Sequence, residues 1–70
     1  MEAIIKYRER HGMARGELGK LIGVTAEFVR LVEKGKRKLS PERALDLEVA
    51  TDGELPRTVT RPDLWEPKAA

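Results

Sequence analysis

RGELGKLIGVTAEFVRLVEK, residues Arg15 to Lys34, is the stretch on which the reading of the whole chain turns. It divides into two short helical segments, the first from about Ala14 to Ile22 and the second from about Ala26 to Lys34. Leu18 and Ile22 lie four apart and share a face of the first segment; Val29 and Val32 lie three apart and share a face of the second. Gly23 stands where the first segment must stop, in the position that commonly takes a left-handed conformation. Thr25 supplies an N-cap oxygen for the second. Val24 and Val29 flank that cap at the two hydrophobic-staple positions.

Gly19 lies inside the first segment, where glycine costs about 1 kcal/mol relative to alanine. A helix tolerates that cost where another backbone passes too close for a side chain, and the second helix crossing the first is the expected place. Small at Gly19, glycine at Gly23 and β-branched at Val29, together with Leu18, Ile22 and Val32, form the pattern of a helix-turn-helix.

The remainder of the chain is also helical in pattern. Glu2 to Arg10 reads as a first helix, with Ile4, Tyr7 and His11 as its core-facing stripe and Gly12 as its stop. His11, the single histidine, reads as a helix C-terminal residue rather than a ligand. Neither Met13 nor Ala14 offers a capping oxygen to the next helix, and Glu17 is accounted for by the helix dipole. Ser40, Pro41 and Glu42 combine an N-cap, a proline at the first helical position and an acid in the first turn, which starts a helix running to about Ala50. Ala44, Leu47 and Ala50 form its inward face, with Leu45 and Val49 on an adjoining strip. Pro56, Pro62 and Pro67 forbid a long helix in the tail. Leu55, Val59, Leu64 and Trp65 are spaced to pack back onto the domain, and Trp65 reads either as a lid on the core or as a contact for a second subunit.

The expected fold is therefore all-α, a compact bundle of four to five short helices around the helix-turn-helix. Seventy residues hold one domain, taken as residues 1–66, with 67–70 a frayed tail. No cysteine is present, which excludes disulfides and thiolate metal sites and fits a reducing cytoplasm. No apolar run approaches the roughly 18 residues of a membrane span, and no signal-peptide segment opens the chain. With a single histidine, no Gly-rich phosphate loop and no ligand cluster, nothing points to an enzyme, a cofactor or a metal.

Charge is unevenly placed. Residues 1–40 carry ten Lys or Arg against five Asp or Glu, a balance of +5; residues 41–70 carry four against seven, a balance of −3. Basic charge thus gathers on the helix-turn-helix and its flank, which suggests a polyanionic partner, the alternative being a solvated face. Its densest part is the loop Lys36, Arg37 and Lys38 after Gly35.

The run His11 to Leu39, HGMARGELGKLIGVTAEFVRLVEKGKRKL, resembles the helix-turn-helix of the Cro and C1 phage-repressor superfamily. The continuation resembles small Cro-like proteins of the YdaS type. In these a helix ending in Ala-Thr-x-Gly, here Ala50-Thr51-Asp52-Gly53, leads to an Arg-Pro-Asp-x-Trp tail, here Arg61 to Trp65. The likeness covers about residues 3 to 66. It departs at Arg15, where the family often has glutamine, and at Val32, where it often has tryptophan.

The resemblance implies a lambda-repressor-like domain that binds operator DNA and represses transcription in the cytoplasm of a bacterial or phage-infected cell. In such a domain the second helix of the motif lies in the major groove. Ala26, Glu27 and Arg30 would then face bases, with Phe28 and Leu31 on the flanks. Arg30 suits guanine O6 and N7, Glu27 suits cytosine N4, and Ala26 suits a thymine methyl; Arg30 can equally pair with Glu27. Arg15, Thr25, Lys34, Lys36, Arg37 and Lys38 would meet phosphates. A palindromic operator bound by a weak homodimer, or a dimer completed on DNA, is expected. The alternative is an antitoxin-type interaction module with a toxin as its protein partner, contacted through Phe28, Leu31 and Trp65.

Overall fold

The computed structural model describes residues 1–66 and contains five helices: α1 (Glu2–His11), α2 (Arg15–Ile22), α3 (Ala26–Glu33), α4 (Pro41–Ala50) and α5 (Arg57–Thr60). The expected frayed tail, 67–70, lies outside the described residues. Helix α2 packs on α3 and α4, α4 on α5, and α1 on α3. The described residues are all-helical, as the spacing of apolar residues predicts.

One apolar cluster joins α1 to α4. Ile4 and Tyr7 come from α1, Leu18 and Ile22 from α2, Val29 and Val32 from α3, and Leu47 from α4, with Leu39 and Leu55 from the connections. Ile4, Leu18, Leu47 and Leu55 are completely enclosed. Burying one such side chain contributes roughly 1.5–3 kcal/mol. Apart from Tyr7 the buried cluster is aliphatic, as expected of a chain with three aromatic residues.

Local chemistry sets the helix limits. Gly23 ends α2 at φ 74°, ψ 33°, and the Val24 N–H reaches back to the Gly19 carbonyl at 2.9 Å. Thr25 Oγ1 accepts from the Phe28 N–H at 3.0 Å, and Ser40 Oγ from the Arg43 N–H at 3.2 Å. Helix α2 has no capping oxygen before it, but Glu17 does more than answer the dipole: its carboxylate accepts from the Ala14 N–H at 2.9 Å. That is the reciprocal half of a capping box. Gly19 is buried against backbone, as expected. The backbone is that of the turn rather than of the crossing helix: an added Cβ would lie 2.4 Å from the Val24 carbonyl oxygen.

Two core expectations need correction. His11 is exposed; it stacks on Tyr7 with ring centroids 4.3 Å apart and pairs with Glu54 at 3.2 Å. Ala50 is exposed, and Thr51 occupies the buried position after Leu47. Thr51 Oγ1 donates to the Leu47 carbonyl at 2.7 Å and accepts from the Leu55 N–H at 3.1 Å, which ties the end of α4 to the following turn. Trp65 is half-buried but is not part of the core cluster; the Arg57 guanidinium lies 5.5 Å over its ring.

Candidate nucleic-acid interface

Helix α3 has two chemically opposed sides. Val29, Val32 and Glu33 are buried, while Ala26 and Glu27 are exposed and Arg30 is half-exposed. Phe28 and Leu31 are half-buried on the flanks, and Phe28 packs against the core cluster. Phe28, Leu31 and Trp65, the residues of the alternative protein contact, are each half-buried rather than fully exposed. The exposed large apolar side chains are Leu21, Leu45, Val49, Val59 and Leu64, with Val49 at 78% exposure.

On the outer side of α3, Glu27 and Arg30 form a two-bond fork. Arg30 Nε donates to Glu27 Oε1 at 2.8 Å and Nη2 to Oε2 at 2.6 Å. The hydrogen bond from Arg30 holds the Glu27 carboxyl below its ordinary pKa.

The chain leaves α3 by a tight return. Lys34 N–H reaches the Arg30 carbonyl at 3.0 Å, Gly35 N–H the Val32 carbonyl at 3.1 Å, and Lys36 N–H the Leu31 carbonyl at 2.9 Å. These bonds satisfy the last carbonyls of the helix and project Lys36, Arg37 and Lys38 into solvent. The Arg37 guanidinium lies 5.7 Å over the Phe28 ring. Buried Leu39 anchors the exit of the loop. Arg61 donates to the Leu39 carbonyl from Nη1 and pairs with Asp63 through Nε at 2.9 Å and Nη2 at 2.8 Å. The Arg61 guanidinium holds the Asp63 carboxyl far below the usual range. Lys38 Nζ lies 3.7 Å from the same carboxylate. The Arg-Pro-Asp tail is thus a clasp on the basic loop.

Glu33 is the residue that sequence reading missed. Its side chain is 1% exposed and binds two arginines. Arg8 of α1 donates from Nε to Oε2 at 2.6 Å and from Nη2 to Oε1 at 3.2 Å. Arg15, the first residue of α2, donates from Nε to Oε1 at 2.9 Å. Burial pushes the Glu33 carboxyl up, and the hydrogen bonds from Arg8 and Arg15 more than reverse this, so its pKa is lowered. Arg8 also donates to the Met13 carbonyl at 3.2 Å. One buried carboxylate therefore fastens α1, α2 and α3 together. The available signal was position: Val29, Val32 and Glu33 stand at i, i+3 and i+4, which puts the acid in the inward stripe.

The predicted residues fall into two groups around α3. Ala26, Glu27 and Arg30 share its outer side, with Thr25 at its start serving as the cap. Lys34 to Lys38 leave from its far end, and Arg15 is anchored there through Glu33, the residue preceding Lys34. Among the described residues no helix is long and apolar enough to cross a membrane.

Comparison with known proteins agrees with this geometry. The family model described as helix-turn-helix matches residues 4–56, which run from within α1 through α4 and the turn after it. No curated protein and no solved structure matches the chain.

Proposed function

The chain belongs to the Cro/C1-type helix-turn-helix family of DNA-binding regulators, and from that premise we propose that it is a sequence-specific, Cro-like transcriptional repressor. Helix α3 enters the major groove of an operator with Ala26, Glu27 and Arg30 toward the bases and Phe28 and Leu31 at the groove walls. Arg15, Thr25, Lys34, Lys36, Arg37 and Lys38 contact phosphates. The observation that carries this reading is the two-sidedness of α3. Its inner side is fixed by Val29, Val32 and Glu33, its outer side presents Ala26, Glu27 and Arg30 to solvent, and it ends in a basic loop.

One helix of eight residues reaches too few base pairs to define a site. The fold commonly compensates with a two-fold pair reading half-sites about 34 Å apart. Exposed Leu45 and Val49 on α4, and Val59 and Leu64 beyond it, support a second copy docking there once both stand on DNA.

Selection from randomised duplexes tests the reading. The expected product is an inverted repeat with half-sites about one helical turn apart. An isolated half-site should bind one copy more weakly than each copy binds the full site. Recovery of no enriched sequence would overturn the proposal.

A further inference from the structure

We propose that Glu27 reads no base of its own and instead aims Arg30, so that the two side chains together specify a single guanine. The inference rests on the major-groove placement of α3 proposed above and assigns the division of labour within it.

A guanidinium carries five N–H groups in a rigid plane. The fork with Glu27 engages the edge formed by Nε and one side of Nη2, at 2.8 and 2.6 Å. The opposite, end-on edge presents one N–H from Nη1 and one from Nη2, parallel to each other. That edge matches guanine O6 and N7. Pairing with Glu27 therefore leaves the guanine-reading edge open while narrowing the range over which the guanidinium swings.

The same fork argues against Glu27 as a separate cytosine reader. Both of its oxygens already accept from Arg30. Each oxygen keeps a second lone pair, but rotating the carboxylate to aim it at a cytosine amino group would take it out of the plane of the fork and weaken both charge-assisted bonds. It would also carry an uncompensated negative charge into a groove lined by phosphates. Paired, the two side chains are together neutral and approach the groove without that repulsion. The fork is built on a fixed base, because Thr25 caps α3 at the Phe28 N–H and Glu27 lies within that first turn. Orientation settled before binding leaves less rotamer freedom to be lost in the complex.

The test is the base-preference profile of the full chain, measured by duplex selection for the wild type, Glu27→Ala, Arg30→Ala and the double variant. Both substitutions are at solvent-facing positions, and a thermal melt verifies that each of the three variants is folded. Arg30→Ala should reduce discrimination for guanine at one base pair by about tenfold or more. Glu27→Ala should weaken discrimination at the same base pair by several-fold, and the double variant should match Arg30→Ala. A Glu27→Ala profile altered at a different base pair, or not altered at all, overturns the inference. A wild type with no sequence preference overturns the proposed function and this inference with it. A clear wild-type motif with effects at separate base pairs overturns this inference alone.

Discussion

Glu33→Ala is the substitution that most directly tests how this small domain is held together. Its carboxylate is enclosed on all sides, and the Arg8 side chain bound to it is only 17% exposed. Removing one partner of a buried ion pair costs about 3–5 kcal/mol, because the other charge is left without compensation. Arg15 is 41% exposed and can turn to water, so Arg8 bears most of the penalty and the lower end, about 3 kcal/mol, is expected. At about 0.05–0.15 kcal/mol per residue, the whole domain is stable by only about 4–10 kcal/mol. The loss should therefore be plain in urea unfolding followed by circular dichroism. The pH dependence supplies a second reading. Glu33 has a folded pKa below its ordinary 4.5, so its contribution is complete above that value and is lost as pH falls through the folded value. Glu33→Gln should lack this part of the acid limb. A loss below about 1 kcal/mol in Glu33→Ala, with an unchanged acid limb in Glu33→Gln, would refute the buried clamp.

Gly19→Ala should destabilise by about 3 kcal/mol, the upper end for overpacking, since its Cβ would meet a backbone oxygen at 2.4 Å; an unchanged urea midpoint would contradict the packing of the turn. Thr51→Val should cost about 1–3 kcal/mol by orphaning the buried Leu55 N–H, read in the same unfolding assay. Arg61→Ala should release the Leu39 carbonyl and loosen the basic loop. Affinity should fall alike for preferred and unrelated duplexes in a titration of both, whereas a shift in base preference would place Arg61 at the bases.

The helices were legible because their signals are local. Leu18 with Ile22, and Val29 with Val32, mark inward faces by spacing alone, and Gly23, Thr25 and Ser40 mark ends by backbone chemistry. What stayed hidden depends on partners distant in sequence. Glu33 sits among hydrophobic positions yet is an acid, and only the fold brings Arg8 and Arg15 to it. Ala50 kept its place in the apolar spacing, but α4 ends there and the chain turns so that Thr51 is enclosed instead. The tail followed the same rule. Its prolines correctly excluded a long helix, but a single turn, α5, forms between Pro56 and Pro62. The grip of Arg61 on Leu39 spans a separation that no periodicity reveals.

Charge counting shows most sharply why the fold must be consulted before function. The sequence gathers a balance of +5 in its first forty residues, but several of those cations are committed within the protein. Arg8 is enclosed with Glu33, Arg10 pairs with Glu54 at 3.2 Å, and Arg30 is forked with Glu27. Lys34, Lys36 and Arg37 have no ion pair among the described residues. Lys38 is joined to Asp63 only by an exposed contact at 3.7 Å, which a phosphate can displace at little cost. Arg15 is tethered to Glu33 through Nε, which leaves its terminal nitrogens able to donate elsewhere. On the proposed reading, five phosphate contacts per copy are expected, with a log–log salt slope of about −4.5 on a half-site. Were Arg15 and Lys38 held by their internal partners, three contacts would remain and the slope would be about −2.7. Lys36→Ala with Lys38→Ala should flatten the slope by about two units and weaken binding to every sequence alike. A salt titration of the double variant that matched the wild type in slope and affinity would remove the loop from the interface.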